Sequence, residues 1–213
     1  MARTNKEYKD LSIKEFTKAA EKYENNFAGI YEICKKDYPD ILAKLEKVEF
    51  HDLLDAGCGP APILSLLSEL YPDKHFTGLD LTPAMIEKAK EKNLPNVDFV
   101  VGDCENLPFE ENSFDVIICC ESFHHYPNPQ DFFHSVYRCL RKGGILVLRD
   151  FVADGFLAWM INKIEMPLAN LTGHGDVGVY SEKQLRQMCA NAGLTVEEFD
   201  VKIKVKMTLL ARK

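Results

Sequence analysis

Long apolar runs are scarce in this chain. None approaches the roughly 20 residues needed to cross a bilayer. The most apolar stretch, from Ile145 to Ile164, is broken by Arg149, Asp150 and Asp154. No membrane span is expected. Positive charge is also short: 26 lysines and arginines face 33 acids, a formal net charge of −7. That balance argues against DNA or RNA as a partner, because a phosphate backbone calls for a basic face. It argues equally against an anionic lipid surface. The seven cysteines are odd in number and form no Cys-x-x-Cys spacing. They read as reduced, mostly buried thiols, with neither a disulfide framework nor a cysteine zinc site, and no metal ligand set is expected. Residues Met1 to Asp10 are polar and lack the apolar core of a signal peptide. A cytoplasmic location is expected.

What is present fits an ordinary globular chain. Its 213 residues suit one α/β domain. Hydrophobic residues make up 46% and charged residues 28%, close to average usage. Ser12, with Glu15 three residues on, reads as a capping box opening a helix. Ile13, Phe16, Ala20 and Tyr23 then recur at helical spacing. A second helical stretch is expected over 27–47, interrupted near Tyr38-Pro39.

From residue 51 the pattern alternates. Strands are expected at 51–56, 75–80, 97–101, 114–119 and 145–151. Helices are expected at 63–70, 84–92, 130–140 (ending at Gly143-Gly144) and 181–192. Ser181 should cap the last helix and Gly193 should stop it. Two strand-like runs, 194–200 and 202–210, close the chain with no helix between them, so they can pair only as an antiparallel hairpin. The pattern predicts an α/β fold, a doubly wound and mostly parallel sheet with that hairpin at its edge. Its ligand site should lie at the carboxyl ends of the strands. Residues 152–180 break the pattern. They hold the only tryptophan, Trp159, and a glycine-rich piece from Thr172 to Gly178, and read as a cover over the site.

Three loops carry chemistry. In Leu53-Leu54-Asp55-Ala56-Gly57-Cys58-Gly59-Pro60 a buried strand ends in an acid, and two glycines lead into a helix. Such glycines let the backbone turn and approach a ligand, and the helix N-terminus offers free N–H groups. The dinucleotide pattern G-x-G-x-x-G fails, because Pro62 stands at the third glycine position. The second loop is Gly78-Leu79-Asp80, an acid placed to accept two ribose hydroxyls. The third is Gly102-Asp103-Cys104-Glu105-Asn106-Leu107-Pro108-Phe109, followed by Phe114-Asp115. Here an acid can take the exocyclic amine of adenine and a backbone N–H a ring nitrogen.

In this order, these motifs resemble the class I S-adenosylmethionine-dependent methyltransferases, from about Phe16 to the C-terminus. The likeness is nearest to the small-molecule branch of the ubiquinone/menaquinone-methyltransferase type. It implies a Rossmann-like seven-stranded sheet with N-terminal helices, and S-adenosylmethionine as cofactor. It implies one domain: a helical cap at 1–48, a cofactor-binding core at 49–151, a cover at 152–180, and a helix with edge hairpin at 181–213. It places Asp55, Ala56, Gly57 and Gly59 at the amino-acid end of the cofactor and Asp80 at the ribose. Leu81 would pack on the adenine, which Asp103 and the Cys104 backbone would bind. Glu121 would lie near the methionine moiety. Phe16, Ala20 and Tyr23 match the F-x-x-x-A-x-x-Y helix that closes over the cofactor, so Tyr23 joins the binding set. Ala61 departs from the glycine usual at its position.

The fourth strand leads into Glu121-Ser122-Phe123-His124-His125-Tyr126. Histidine can take a proton near neutral pH, so His124 and His125 are the catalytic candidates on the acceptor side. His174, Asp176, Tyr180, Arg149 and Asp150 are weaker candidates for the acceptor pocket. The expected partner is a small-molecule methyl acceptor. The atom methylated and the oligomeric state stay open. Two rivals remain, a non-catalytic cofactor-binding or regulatory protein and a nicotinamide oxidoreductase. Pro62 and Asp103 weigh against the second.

Overall fold

A computed structural model describes residues 3–23, 35–202 and 205–213, with only the backbone of 21–23. Among the described residues, helix α1 (Asn5–Tyr23) comes first and α2 (Tyr38–Leu45) second. The core then alternates as β1 (Asp52–Ala56), α3 (Pro62–Leu70), β2 (His75–Asp80), α4 (Pro83–Lys90), β3 (Val97–Val101), β4 (Phe114–Cys120), α5 (Pro129–Cys139) and β5 (Leu140–Phe151). The final elements of the sheet are β6 (Thr195–Lys202) and β7 (Lys206–Arg212). The seven strands lie in the order β3-β2-β1-β4-β5-β7-β6. All neighbours are parallel except β7, which runs antiparallel to both β5 and β6.

Strands buried on both faces must send alternate side chains into two layers, and these do. Leu54, Ile117, Leu146 and Leu148 pack on one face with Phe132, Phe133 and Val136 of α5. Leu53, Ile118, Ile145 and Val147 pack on the other with Ile41, Leu64 and Leu67. Because β1 pairs with β2 on one side and β4 on the other, the strand order reverses beside β1. A crevice opens there at the carboxyl ends.

Several expected boundaries move. Helix α1 starts at Asn5, not at Ser12. Thr4 and Glu7 make the capping box: Glu7 donates its N–H to Thr4 Oγ1 at 3.3 Å, and Thr4 donates its own to Glu7 Oε2 at 2.6 Å. Ser12 is mid-helix and buried, its hydroxyl 3.4 Å from the Gly175 carbonyl it donates to. Pro39 falls in the first turn of α2, where its missing N–H costs nothing. Helix α5 ends at Cys139, ahead of Gly143-Gly144, because Leu140 is already paired with Phe114. The last helix, α8 (Glu182–Ala192), has the Ser181 capping box and a left-handed Gly193 at φ 90°.

The segment between β5 and α8 folds as α6 (Gly155–Met160), a π-helical turn (Ile161–Glu165) and α7 (Met166–Leu171). Asn162 in the π turn exchanges hydrogen bonds with the Val179 backbone at 2.9 and 2.8 Å. Phe156, Trp159, Leu168 and Leu171 stay exposed, and Phe156 stacks on Trp159. The glycine-rich turn that follows is tied to α1: Glu15 meets His174 Nδ1 at 2.7 Å and accepts the Gly175 N–H at 2.8 Å. No helix among the described residues is long and apolar enough to cross a membrane.

Candidate active site

The crevice beside β1 holds a cavity built from strand ends. Asp55 closes β1 and is almost wholly buried, at 2% exposure, with no partner for Oδ2. Burial, and then the nearby Asp80 charge, push its carboxyl up to about 8. The loop that follows turns through Gly57 at φ 83°. A Cβ there would stand 2.0 Å from Ser122 Oγ, so only glycine fits. The Gly57 and Cys58 N–H groups donate to the Leu79 carbonyl, which pins the loop against β2.

Asp80, at the end of β2, accepts the Gly59 N–H at 2.9 Å and the Thr82 N–H at 2.8 Å. Burial raises its pKa while these hydrogen bonds pull it down. Asp103, after β3, accepts the Glu105 N–H through Oδ1 at 2.9 Å. Its Oδ2 is 2.6 Å from Lys9 Nζ of α1, and Lys9 also pairs with Glu105. Glu121, after β4, is left-handed at φ 53°. Its Oε2 meets Lys206 at 2.5 Å, and its buried Oε1 has no partner. Burial, and then Asp150, raise its carboxyl to about 7.

The cavity wall thus brings together Asp55, Gly57, Gly59, Asp80, Leu81, Asp103, Cys104, Glu121 and His125. Two expected residues are elsewhere. Ala56 is fully buried and its carbonyl accepts from the Tyr126 hydroxyl at 3.4 Å, so it shapes the loop from behind. His124 sits behind His125, its Nδ1 2.8 Å from Asp150 Oδ1. The Tyr23 side chain lies outside the described residues. His125 is edge-on to Phe16 of α1, with ring centroids 5.1 Å apart. Burial, and then the charge of His124, lower its pKa to about 3. For His124 burial works downward, but the charge and hydrogen bond of Asp150, with the charges of Asp176 and Glu121, together raise its pKa.

Of the weaker candidates, Asp150 and Asp176 reach the histidines. Arg149 is turned away into a buried pair with Asp37 at 2.6 Å. His174 holds Glu15, and Tyr180 packs on Phe123. The sequence reading missed Lys9, Ser122 and Tyr126 as cavity residues. Lys9, Ser12, Phe16 and Ala19 follow one helical face, a stripe that was readable once α1 is started at Asn5.

Comparison with known proteins points to methyltransferases. Residues 54–148 match the family described as a methyltransferase domain, the segment from β1 into β5. A phthiotriol/phenolphthiotriol dimycocerosates methyltransferase of Mycobacterium ulcerans is 39% identical over 122 residues, 56% of this chain and 45% of that protein. A fatty-acid O-methyltransferase of Mycolicibacterium smegmatis is 36% identical over 104 residues, 48% of this chain and 38% of that protein. The chain spans a little under half the length of these curated relatives. A Haloferax volcanii structure of a methyltransferase activator complex superposes with a TM-score of 0.74, covering 93% of this chain and 97% of that one. At 20% identity that likeness speaks for the fold alone. Through residues 54–148 the chain is similar to a methyltransferase domain, carried on a fold that it shares with solved methyltransferase structures.

Proposed function

We propose that this chain binds S-adenosylmethionine in the cavity beside β1 and transfers its methyl group, by in-line displacement, to a small-molecule acceptor. One observation carries the reading. Two buried carboxylate oxygens without partners, Asp55 Oδ2 and Glu121 Oε1, belong to residues of the same glycine-lined wall. An unsatisfied buried acceptor is costly, and a ligand with a cationic amino-acid end would satisfy both. The free positions on the Asp80 carboxylate suit ribose hydroxyls. Leu81, Met85 and Cys104 supply apolar wall for a base.

When bound, the cofactor supplies a methyl group on a sulfonium, an excellent leaving group. The protein then has mainly to hold the two partners in line. Ser122 and Tyr126, hydrogen-bonded at 2.9 Å, brace the Gly57 turn. Helix α1 lines the cavity with Lys9, Ser12, Phe16 and Ala19, and the 174–175 turn braces that helix through Glu15, which limits water at the site. His125 stands on the cavity wall with His124 behind it, and the pair acts by orienting the acceptor. The apolar exposed face of α6 and α7, and the lipid and fatty-acid acceptors in the relatives' names, favour an acceptor with an apolar body. The charge of −7 disfavours a nucleic-acid acceptor.

The test is a calorimetric titration with S-adenosylmethionine and S-adenosylhomocysteine, beside NADH and an Asp80→Ala variant. Binding of the first two, lost in the variant and absent for NADH, supports the reading. No binding to the wild type refutes it. A second reading, a non-catalytic cofactor binder, is favoured by the histidine pair, because His125 is lowered to about 3 and His124 is raised, so neither is poised as a base near neutral pH. Conversion to S-adenosylhomocysteine with hydroxylated lipid acceptors, above the rate without protein, would remove it.

A further inference from the structure

Asp176, which the sequence places far from the His124-His125 pair, meets both histidines beside the cavity. His124 Nε2 is 3.7 Å from Asp176 Oδ1, and His125 Nδ1 is 3.5 Å from the same oxygen. Each of the three residues offers a ligand atom within 4.8 Å of the others. We propose that His124 Nε2, His125 Nδ1 and Asp176 Oδ1 form a three-ligand site for a divalent first-row transition metal, with zinc as the reference ion, whose open position takes an oxygen of the methyl acceptor. The role given to the ion rests on the methyltransferase reading; the site itself does not.

The spacing fits. Zinc bonds to nitrogen and oxygen of roughly 2.0–2.1 Å put tetrahedral ligands about 3.3–3.5 Å apart. Both distances to Asp176 are close to that edge. Two imidazoles and one carboxylate suit such ions better than magnesium or calcium, which prefer all-oxygen sets. Three protein ligands leave one position free, the pattern of catalytic rather than structural sites.

The surroundings fit as well. Metal-binding histidines characteristically give their other ring nitrogen to a carboxylate or carbonyl. His124 gives Nδ1 to Asp150, which is fully buried and also accepts the Phe151 N–H at 2.6 Å. That leaves Nε2 as the ligand nitrogen. The His125 ring meets the Gly175 backbone, and its buried Nδ1 has no partner. Asp176 is held in place from both sides. The N–H groups of Val177 and Gly178 donate to the His124 carbonyl at 2.9 and 3.2 Å, and Asn170 donates to the Asp176 carbonyl at 2.9 Å. The Asp176 side chain is 26% exposed, and His125 lies on the cavity wall. The fourth position is therefore reachable from the acceptor side. An acceptor hydroxyl on the ion would lose its proton to solvent more readily, as metal-bound water does.

The test uses untagged protein stripped with chelator. Zinc chloride is titrated by calorimetry and cobalt chloride by visible absorption. One equivalent of zinc, with four-coordinate cobalt bands, is expected. Asp176→Ala should weaken binding at least tenfold with an unchanged circular dichroism spectrum. If that variant does not fold, Asp176→Asn takes its place with the same expectation. Asp150→Asn should weaken binding about 10- to 100-fold through the His124 ring. His134→Ala, an exposed histidine on α5, should change nothing. Absence of zinc binding overturns the proposal, as do undiminished binding in the Asp176 variant and cobalt–thiolate charge-transfer bands. The same samples are titrated with S-adenosylmethionine. Cofactor binding without zinc binding sinks this inference alone. Zinc binding without cofactor binding supports the site and overturns the role given to the ion.

Discussion

One carboxylate at the end of β5 grips both the ring and the backbone of a residue that follows β4. Asp150 Oδ1 is 2.8 Å from His124 Nδ1, and Asp150 Oδ2 accepts the His124 N–H at 3.3 Å. Asp150 is fully buried. Removing one partner of a buried pair costs about 3–5 kcal/mol, because the other is left unsatisfied. Asp150→Ala should therefore lower unfolding stability by about 3 kcal/mol or more, and Asp150→Asn, which keeps an acceptor, by less. Urea unfolding midpoints measure this. A loss under about 1 kcal/mol in the alanine variant would mean that the pair does not hold the two loops together.

Asp55 links cofactor binding to protons. Its carboxyl is raised to about 8, by burial and then by Asp80, so below that pH it carries a proton. A cationic ligand beside it favours the charged form, and binding should release the proton. Calorimetry of S-adenosylmethionine binding in buffers of different ionisation heat should show release approaching one proton at about pH 7 and vanishing above about pH 9. The affinity should rise with pH across that window. Proton uptake, or no buffer dependence, would exclude Asp55 as the group facing the cationic end.

The same residue sets a slope in stability. Between its ordinary value of 3.8 and the folded value of about 8, the folded chain keeps a proton that the unfolded chain has lost. Stability therefore falls as pH rises through that window. Asp55→Asn removes the buried charge, so the variant should melt higher than the wild type at about pH 8 and differ less at about pH 5. It should bind S-adenosylmethionine far more weakly. Thermal melts across pH, paired with one titration, separate these effects. A variant that melts lower at alkaline pH would contradict the raised carboxyl.

Much of this was legible in the residues because two kinds of signal are local. The period-2 burial of Leu53-Leu54 and Ile117-Ile118, and the acid-then-glycine ending of β1, are written in consecutive positions. The hairpin followed from the lack of a helix between the last strands. What escaped is set by tertiary contact. Lys9 reaches Asp103 across 94 positions. Asp176 meets the histidines only because the glycine-rich turn docks on the His124 carbonyl. Ser12 looked like a cap since serine favours that place, yet Thr4 and Glu7 formed the box a full turn and more earlier. No periodicity distinguishes those two starts.

Ala61 follows the two glycines of the first loop, and its backbone is left-handed at φ 57°, ψ 47°. That conformation costs an L-residue about 1–2 kcal/mol. Its methyl is fully buried in an apolar cluster, which returns about 0.8 kcal/mol. Glycine would also lose about 0.5–1 kcal/mol more conformational entropy on folding. These terms nearly cancel, so Ala61→Gly should change stability by less than about 1 kcal/mol and leave cofactor binding intact. Gly57→Ala is different. Its new Cβ would strike Ser122 at 2.0 Å and at a positive φ, and cofactor binding should be lost. Melting temperatures and titration of the two variants check the contrast. Loss of binding in Ala61→Gly would show that the alanine methyl, not merely the loop path, shapes the site.

Lys9 ties α1 to the rim of the cavity through Asp103 at 2.6 Å and through Glu105. Solvent screens the Asp103 pair, with side chains 23% and 33% exposed, but the Glu105 side chain is only 4% exposed and would be left buried without its cation. Lys9 should also act on the lid. With Lys9→Met the helix keeps its apolar stem on the wall but loses the charged tether. Dissociation of S-adenosylhomocysteine should speed up several-fold in stopped-flow displacement, and the melting temperature should fall because Glu105 stays buried without its cation. The opposite sign is equally informative. If Asp103 holds the adenine amine, Lys9 competes for the same oxygen, and its removal would slow dissociation. A slower rate would then make the ammonium a gate on the adenine subsite, and α1 a helix that must let go before the cofactor is fully seated.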